Sequence, residues 1–233
     1  NPVHPGIKTF HDQAVAVEEF GATLSCGPLF GTVYLAVPAL VACPTGAARG
    51  DLLAALIDGD RTAAFAVPDT AGVFAEDATV TVAAGGTGDA VVLTGKTARV
   101  VDATMADVFL VAARGSDGVG LYAVDAADVA LTPLVTMDLT RPQADIEFSD
   151  SPARLLAGPA EADRVINHAL QVGAVLLAVE QVGAAQHLLD LSVQYAKSRL
   201  QFGRQIGSFQ AVKHKLADML VDLEHARSAA YHG

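Results

Sequence analysis

One short run stands apart among the residues able to do chemistry: "SRLQFGRQIGSF", residues 198–209. It separates two stretches of helical periodicity and holds two arginines, two glycines and an aromatic residue, Phe202, next to Gly203. A guanidinium is planar and permanently charged, and it meets a phosphate or carboxylate with two parallel hydrogen bonds. Arg199 at a helix end, with Phe202 as a flat apolar neighbour, is therefore a candidate contact for an anionic ligand. The same residues also make an ordinary helix–turn–helix joint with its arginines in solvent. Gly203 and Gly207 permit the turn, and Ser208 is placed to cap a helix beginning at Phe209. Residue types alone favour the plain joint.

Other chemistries find less support. His4, His11, His168, His187, His214, His225 and His232 are scattered, and none has HExxH or comparable ligand spacing, so no metal site is expected. Cys26 and Cys43 are the only cysteines, with no CxxC, which fits a reducing cytoplasm. GxGxxG and Walker A sequences are absent. The formal charge of −11 argues against nucleic acid or an anionic membrane as partner, so an anionic ligand must be met by local cations. The run "GAVLLAVEQVGAA" is broken by Glu180 and Gln181 and reads as too short to span a bilayer. No basic-then-apolar leader is visible. With 52% apolar and 18% charged residues, the chain has enough of both to form a packed core.

The elements that would position the run change period along the chain. Residues 9–57 read as three helices. In the first, Phe10, Ala14, Val17 and Phe20 or Gly21 recur at helical spacing, and Glu18 and Glu19 face away. "TVYLAVPALVAC" is a second helix, bent or broken at Pro38, and "TGAARGDLLAALIDGD" a third, ending at Gly59. The middle reads as short strands, "RTAAFAV", "ATVTVAA", "AVVLTGKTARVV", "DVFLVAAR", "GLYAVDA", "VALTPLVT" and "ADIEFSD", which suits a small barrel or sandwich. From about Glu161 the chain is helical again. Leu170, Gly173, Leu177, Glu180 and Ala184 trace a narrow stripe of close packing, and Val212, Leu216, Met219, Leu220 and Leu223 form the apolar face of the last helix. The expected class is α+β, with domains 1–60 (partial helical), 61–158 (β barrel) and 159–233 (partial helical bundle).

The segment 195–219, "YAKSRLQFGRQIGSFQAVKHKLADM", closely resembles the acyl-CoA dehydrogenase family. That family carries Tyr-x-x-x-Arg-x-x-Phe-Gly-x-x-Ile, then Gln and a Leu-Ala-Asp-Met run, in its carboxy-terminal helical domain. "EEFGATLSCGPLFG", "VLTGKTARVVDATMADVFLVAARG" and "ADIEFSDSPARLLAG" are similar to further family segments, so the resemblance extends over nearly the whole chain. It implies helices, a β barrel and a four-helix bundle, incomplete here, and an FAD cofactor that oxidises the Cα–Cβ bond of an acyl-CoA thioester. It also implies that Arg199 contacts the FAD pyrophosphate or adenosine end, with Phe202 and Gln210 lining the same end, across an interface to the neighbouring subunit.

The chain departs from the family pattern at several points. The Thr-Glu-Pro-Gly-Ala-Gly-Ser-Asp flavin loop corresponds to "AVPDTAGVFAED", where only Pro68 and Gly72 echo it and Thr70 is displaced. The Trp-Ile-Thr segment that packs on the flavin corresponds to "RVVDAT", and the chain has no tryptophan. Thr104 is no sure substitute for the family threonine. Ala174 stands where the family often has an arginine for CoA, and Arg164 lies two to three turns earlier. The family's catalytic glutamate comes from a late loop beyond Gly233 or from the position of Gly173. Glu161, Asp163 and Glu180 do not match either place, so no residue of this chain is expected to be catalytic. Further family helices are expected outside the 233 residues, with "NPVHPGIKTF" as a junction.

The reading implied is the degenerate subunit of a cytoplasmic FAD-dependent acyl-CoA dehydrogenase. It would assemble as an α2β2 hetero-oligomer with a second acyl-CoA dehydrogenase subunit and act on bulky acyl-CoA substrates such as those of steroid catabolism. Two alternatives stand beside it: an ordinary homotetrameric enzyme with flavin in its own β domain, and a non-enzymatic scaffold.

Overall fold

A computed structural model describes residues 9–67, 81–84 (backbone only) and 91–232. Their contacts group into two compact units, Cys26–Gly173 and Asn1–Ser25 with Ala174–Gly233. The segment with Pro68, Thr70 and Gly72 lies outside the described residues.

The Cys26–Gly173 unit begins with a π-helical stretch, Leu29–Ala36, that continues directly into α2, Val37–Ala42. Pro38 therefore does not break the run. It falls in the first turn of α2, where a residue without an N–H is tolerated. Helix α3, Ala47–Asp58, ends at Gly59 in the left-handed region, as its sequence suggests.

Seven strands follow among the described residues: β1 (Ala63–Ala66), β2 (Thr81–Ala84), β3 (Val91–Val101), β4 (Val108–Gly115), β5 (Gly118–Asp125), β6 (Ala130–Leu134) and β7 (Gln143–Ala157). The pairings β4–β2, β2–β3, β3–β7, β7–β5 and β5–β4 close a ring, with β1 added beside β4 and β6 beside β7. Of the barrel and the sandwich that the strand spacing allows, this is the barrel, the form that the family resemblance implies. β7 is the longest strand because it pairs successively with β6, β3 and β5.

β1 and β4 run parallel and are buried on both faces, hence their unbroken apolar sequences "AAFA" and "VFLVAA". Ala63, Phe65, Val108 and Leu110 face a core shared with Leu40, Leu52, Val165 and Ile166. Ala64, Phe109 and Val111 face the other way, into the barrel interior with Leu93, Ile146 and Phe148.

Helix α4, Pro159–Ser198, has 40 residues and runs through both units. By length and composition it could cross a bilayer, contrary to the shorter apolar run read from the sequence. Its apolar residues Ala162, Val165, Ile166 and Ala169 instead belong to a protein core.

The other unit comprises α1 (Phe10–Thr23), the rest of α4, a two-stranded hairpin, β8 (Leu200–Gln201) and β9 (Arg204–Gln205), and α5 (Gln210–His232). Thr9 and Asp12 cap α1 reciprocally: Thr9 Oγ1 accepts from the Asp12 N–H at 3.1 Å, and Asp12 Oδ2 accepts from the Thr9 N–H at 2.9 Å. Helices α1 and α4 touch backbone to backbone. A Cβ on Gly21 would sit 1.9 Å from the Glu180 carbonyl oxygen, and one on Gly183 equally close to that of Glu18. The close-packing stripe thus passes through Gly183, beside the Ala184 expected from periodicity.

Glu18 does not face away from its neighbours. It ion-pairs with Arg227 of α5 and accepts from the Tyr231 hydroxyl at 2.6 Å, while Arg227 also donates to Gln186 Oε1 of α4 at 2.8 Å. One carboxylate thereby ties three helices together. On α5 only Leu223 of the expected apolar face is buried, and Met219 and Leu220 are about half exposed. Met219 borders an apolar groove of about 810 Å³ between α4 and α5, floored by Val182, Leu189 and Leu223.

Candidate functional site

The run that separates α4 from α5 is a β-hairpin, not a bare joint. Arg199 closes the last helical turn with its N–H to the Tyr195 carbonyl at 2.8 Å, and its own carbonyl accepts from Ile206 N–H at 2.9 Å. Leu200 pairs with Gln205 and Gln201 with Arg204, which leaves Phe202 and Gly203 as a two-residue tip. Both have positive φ, 52° and 75°, the pattern of a type I′ turn. Gly203 adopts this readily. Phe202 holds a left-handed conformation that costs an ordinary side chain about 1–2 kcal/mol, and its ring is 90% exposed. A strained, exposed aromatic at a tight tip is a feature of a contact surface rather than of a core.

The two arginines have different surroundings. The Arg204 guanidinium lies 4.0 Å from the centroid of Phe209, whose ring meets Phe202 edge-on at 6.1 Å. Its charge is engaged by the aromatic face. Arg199 is exposed, and its guanidinium makes no hydrogen bond or ion pair among the described residues. Ser208 does not cap α5. Its hydroxyl donates to the Gln205 carbonyl at 2.6 Å inside a single 3-10 turn, and the Phe209 carbonyl accepts the first bonds of α5, from Val212 and Lys213. Gln210 opens α5, exposed, with only a long 3.5 Å approach to His214.

The hairpin closure therefore brings Arg199 back beside Ile206, four residues before Gln210, with Phe202 projecting at the tip. An uncommitted guanidinium next to the positive end of a helix suits a phosphate or pyrophosphate, and the exposed ring suits a flat group. These residues fit the phosphate-bearing end of an FAD.

The barrel side is different. The segment corresponding to the family's flavin-packing Trp-Ile-Thr lies at the end of β3. There Arg99 and Asp102 both have positive φ, 56° and 61°. The Arg99 N–H donates to Asp145 Oδ1 at 2.9 Å, and buried Asp102 accepts from the Gly31 N–H at 2.8 Å. Thr104 is exposed. The adjoining cavity, about 360 Å³, is walled by Phe30, Leu35, Phe65, Leu170 and residues 98–101. Arg99 is the one polar side chain among its described lining residues. A flavin ring has a polar edge that needs several partners, and the described walls offer it a single polar side chain.

The acids complete the picture. A Cβ at Gly173 would meet Leu35 Cδ2 at 2.5 Å and the Tyr34 carbonyl at 3.3 Å, so the place of a helical base is taken by Leu35. Glu180 is half-buried, on the stretch of α4 whose backbone meets Gly21. Arg164 donates Nη2 to the Ala42 carbonyl at 2.9 Å.

Helices ahead of a closed small barrel, then two long helices joined by an arginine-bearing hairpin, make an acyl-CoA dehydrogenase fold. Two solved structures share it: a variant of the Tcur3481-Tcur3483 steroid ACAD (33% identity, TM-score 0.79, 96% of this chain and 60% of that one) and the ChsE4-ChsE5 complex from Mycobacterium tuberculosis (28%, 0.82, 96% and 60%). Residues 164–233 match the family described as "Acyl-CoA dehydrogenase, C-terminal domain". Acyl-CoA dehydrogenase IpdE2 from Mycobacterium tuberculosis is 35% identical over 218 residues, 93% of this chain and 54% of that protein. The chain belongs to the acyl-CoA dehydrogenase family, and it spans about half the length of this curated relative.

Proposed function

We propose that this chain is a supporting subunit of a hetero-oligomeric, FAD-dependent acyl-CoA dehydrogenase of α2β2 type. It lends Arg199, Phe202 and Gln210 to a flavin held mainly by a second acyl-CoA dehydrogenase subunit. The observation that carries the reading is the exposed Arg199 guanidinium on a built hairpin, which makes no hydrogen bond or ion pair among the described residues, together with a barrel cavity whose described walls offer one polar side chain, Arg99. When bound, FAD supplies the two-electron acceptor for α,β-dehydrogenation of an acyl-CoA thioester. Arg199 would pair with the phosphate end, Phe202 would cover an apolar face, and Gln210 would donate from the start of α5.

In this account the α-proton base lies outside the described residues, because Gly173 has no side chain and Leu35 fills the place of a helical base. The relatedness to proteins named as a steroid ACAD and as a ChsE4-ChsE5 complex supports an unlike-subunit assembly and a bulky, ring-bearing acyl group.

The test is the visible absorbance of the purified chain alone. It is expected to be colourless at protein concentrations where stoichiometric FAD is plain. Stoichiometric FAD on the lone chain would sink the reading and favour a homo-oligomer with flavin in its own barrel.

A further inference from the structure

A second polar site lies in the Cys26–Gly173 unit, away from the arginine hairpin in sequence and in lining residues. Arg164, Asn167, His168 and Gln171 fall at i, i+3, i+4 and i+7 of α4, on one face of the helix. With Ala42 at the end of α2 they line a cavity of about 450 Å³.

The arginine is fixed in place. Its Nη2 donates to the Ala42 carbonyl at 2.9 Å, which orients the guanidinium and leaves its remaining N–H groups available. A second guanidinium is anchored at the same helix end: Arg49 Nε donates to the Leu40 carbonyl at 2.8 Å and Nη2 to that of Val41 at 3.3 Å. Both arginines act electrostatically on the Cys43 thiol, so the end of α2 sits in a positive local field. Each polar side chain lining the cavity can donate a hydrogen bond, and no carboxylate lines it among the described residues. In a chain with a formal charge of −11, converging donors without a carboxylate are a selective feature.

We propose that this cavity binds the phosphate of a small phosphorylated ligand, with Arg164 as its charge partner and Asn167, His168 and Gln171 as further donors. A phosphate presents several acceptor oxygens, and a charge-assisted contact to one is stronger than a neutral one. The inference is independent of Arg199 and of where the flavin sits.

The test is calorimetric titration of the purified chain, at low ionic strength, with inorganic phosphate and separately with ADP. Wild type is compared with Gln171→Glu and His168→Gln. The Gln171 side chain makes no hydrogen bond among the described residues, so its replacement sets a carboxylate against the cavity without removing a structural contact. A saturable site is expected in wild type that Gln171→Glu weakens by about tenfold or more, whereas binding at the Arg199 hairpin is equal in the two proteins. Tighter binding of ADP than of phosphate would mark a nucleotide as the source of the phosphate, and equal binding would mark the free anion. Absence of saturable binding of either probe to wild type would show a solvated polar face and overturn the proposal. So would equal affinity in wild type and Gln171→Glu with unchanged circular dichroism.

Discussion

The α-carbon of Gly183 faces the Glu18 carbonyl so closely that a Cβ there would stand 1.9 Å from the oxygen, and Gly21 meets Glu180 in the same way. The two glycines are reciprocal: each helix contributes the missing side chain that lets the other's backbone approach. Gly183→Ala forces the helices apart, because the obstructing atom is backbone and cannot swing aside. The expected cost is about 1–3 kcal/mol or more, measured as a lower urea midpoint with the slope retained. An unchanged midpoint would mean that α1 does not lie against α4 in solution.

Cys43 is buried, and burial pushes its thiol up to about 11 despite the opposing pull of Arg49 and Arg164. The unfolded thiol ionises near its ordinary value, so between that value and about 11 the unfolded chain holds fewer protons than the folded one. Stability contributed by this group is then present below the ordinary thiol pKa and declines as pH rises through the window. The decline should total about 3 kcal/mol. Denaturation curves of wild type and Cys43→Ala across that range isolate it, since other groups titrate alike in both. Parallel pH slopes in the two proteins would contradict the assignment.

Glu180 is the acid on the inner stretch of α4, and it lies about two turns beyond Gly173, roughly 10 Å along the axis at about 1.5 Å per residue. No rotamer change brings it to the position where a base would stand. Glu180→Gln should keep turnover of the assembled enzyme within about threefold. A loss of several orders of magnitude, with FAD and the oligomer intact, would make this the catalytic subunit.

Sequence periodicity reaches some of these features and not others. The order of helices, strands and helices was legible because the apolar period changes visibly at β1 and again at α4. The barrel's closure was not, since it depends on β7 pairing with both β3 and β5 and on β4 pairing with both β2 and β5. Helical periodicity places Glu18 on a solvent face because its partner, Arg227, is 209 positions away and no local pattern records such a pair. In the hairpin, Gly203 signals a turn, but Phe202 hides its left-handed conformation because phenylalanine rarely adopts one. Arg199, Phe202 and Gln210 are legible in the sequence only through resemblance to a family motif. The structure adds the contrast that sequence lacks: Arg204 is stacked on Phe209, and Arg199 is left facing outward.

That contrast gives the most direct measurement of the central claim, the flavin content of the assembled complex after exhaustive dialysis. Wild type, Arg199→Ala and Arg204→Ala are compared at equal oligomer content. A charge-assisted contact to phosphate contributes about 1.5–3 kcal/mol, so Arg199→Ala should weaken FAD retention by about ten- to a hundred-fold. Arg204→Ala should lose less, because its charge lies on the Phe209 ring. Equal flavin in wild type and Arg199→Ala, with the complex intact, would contradict the account and leave this chain a scaffold.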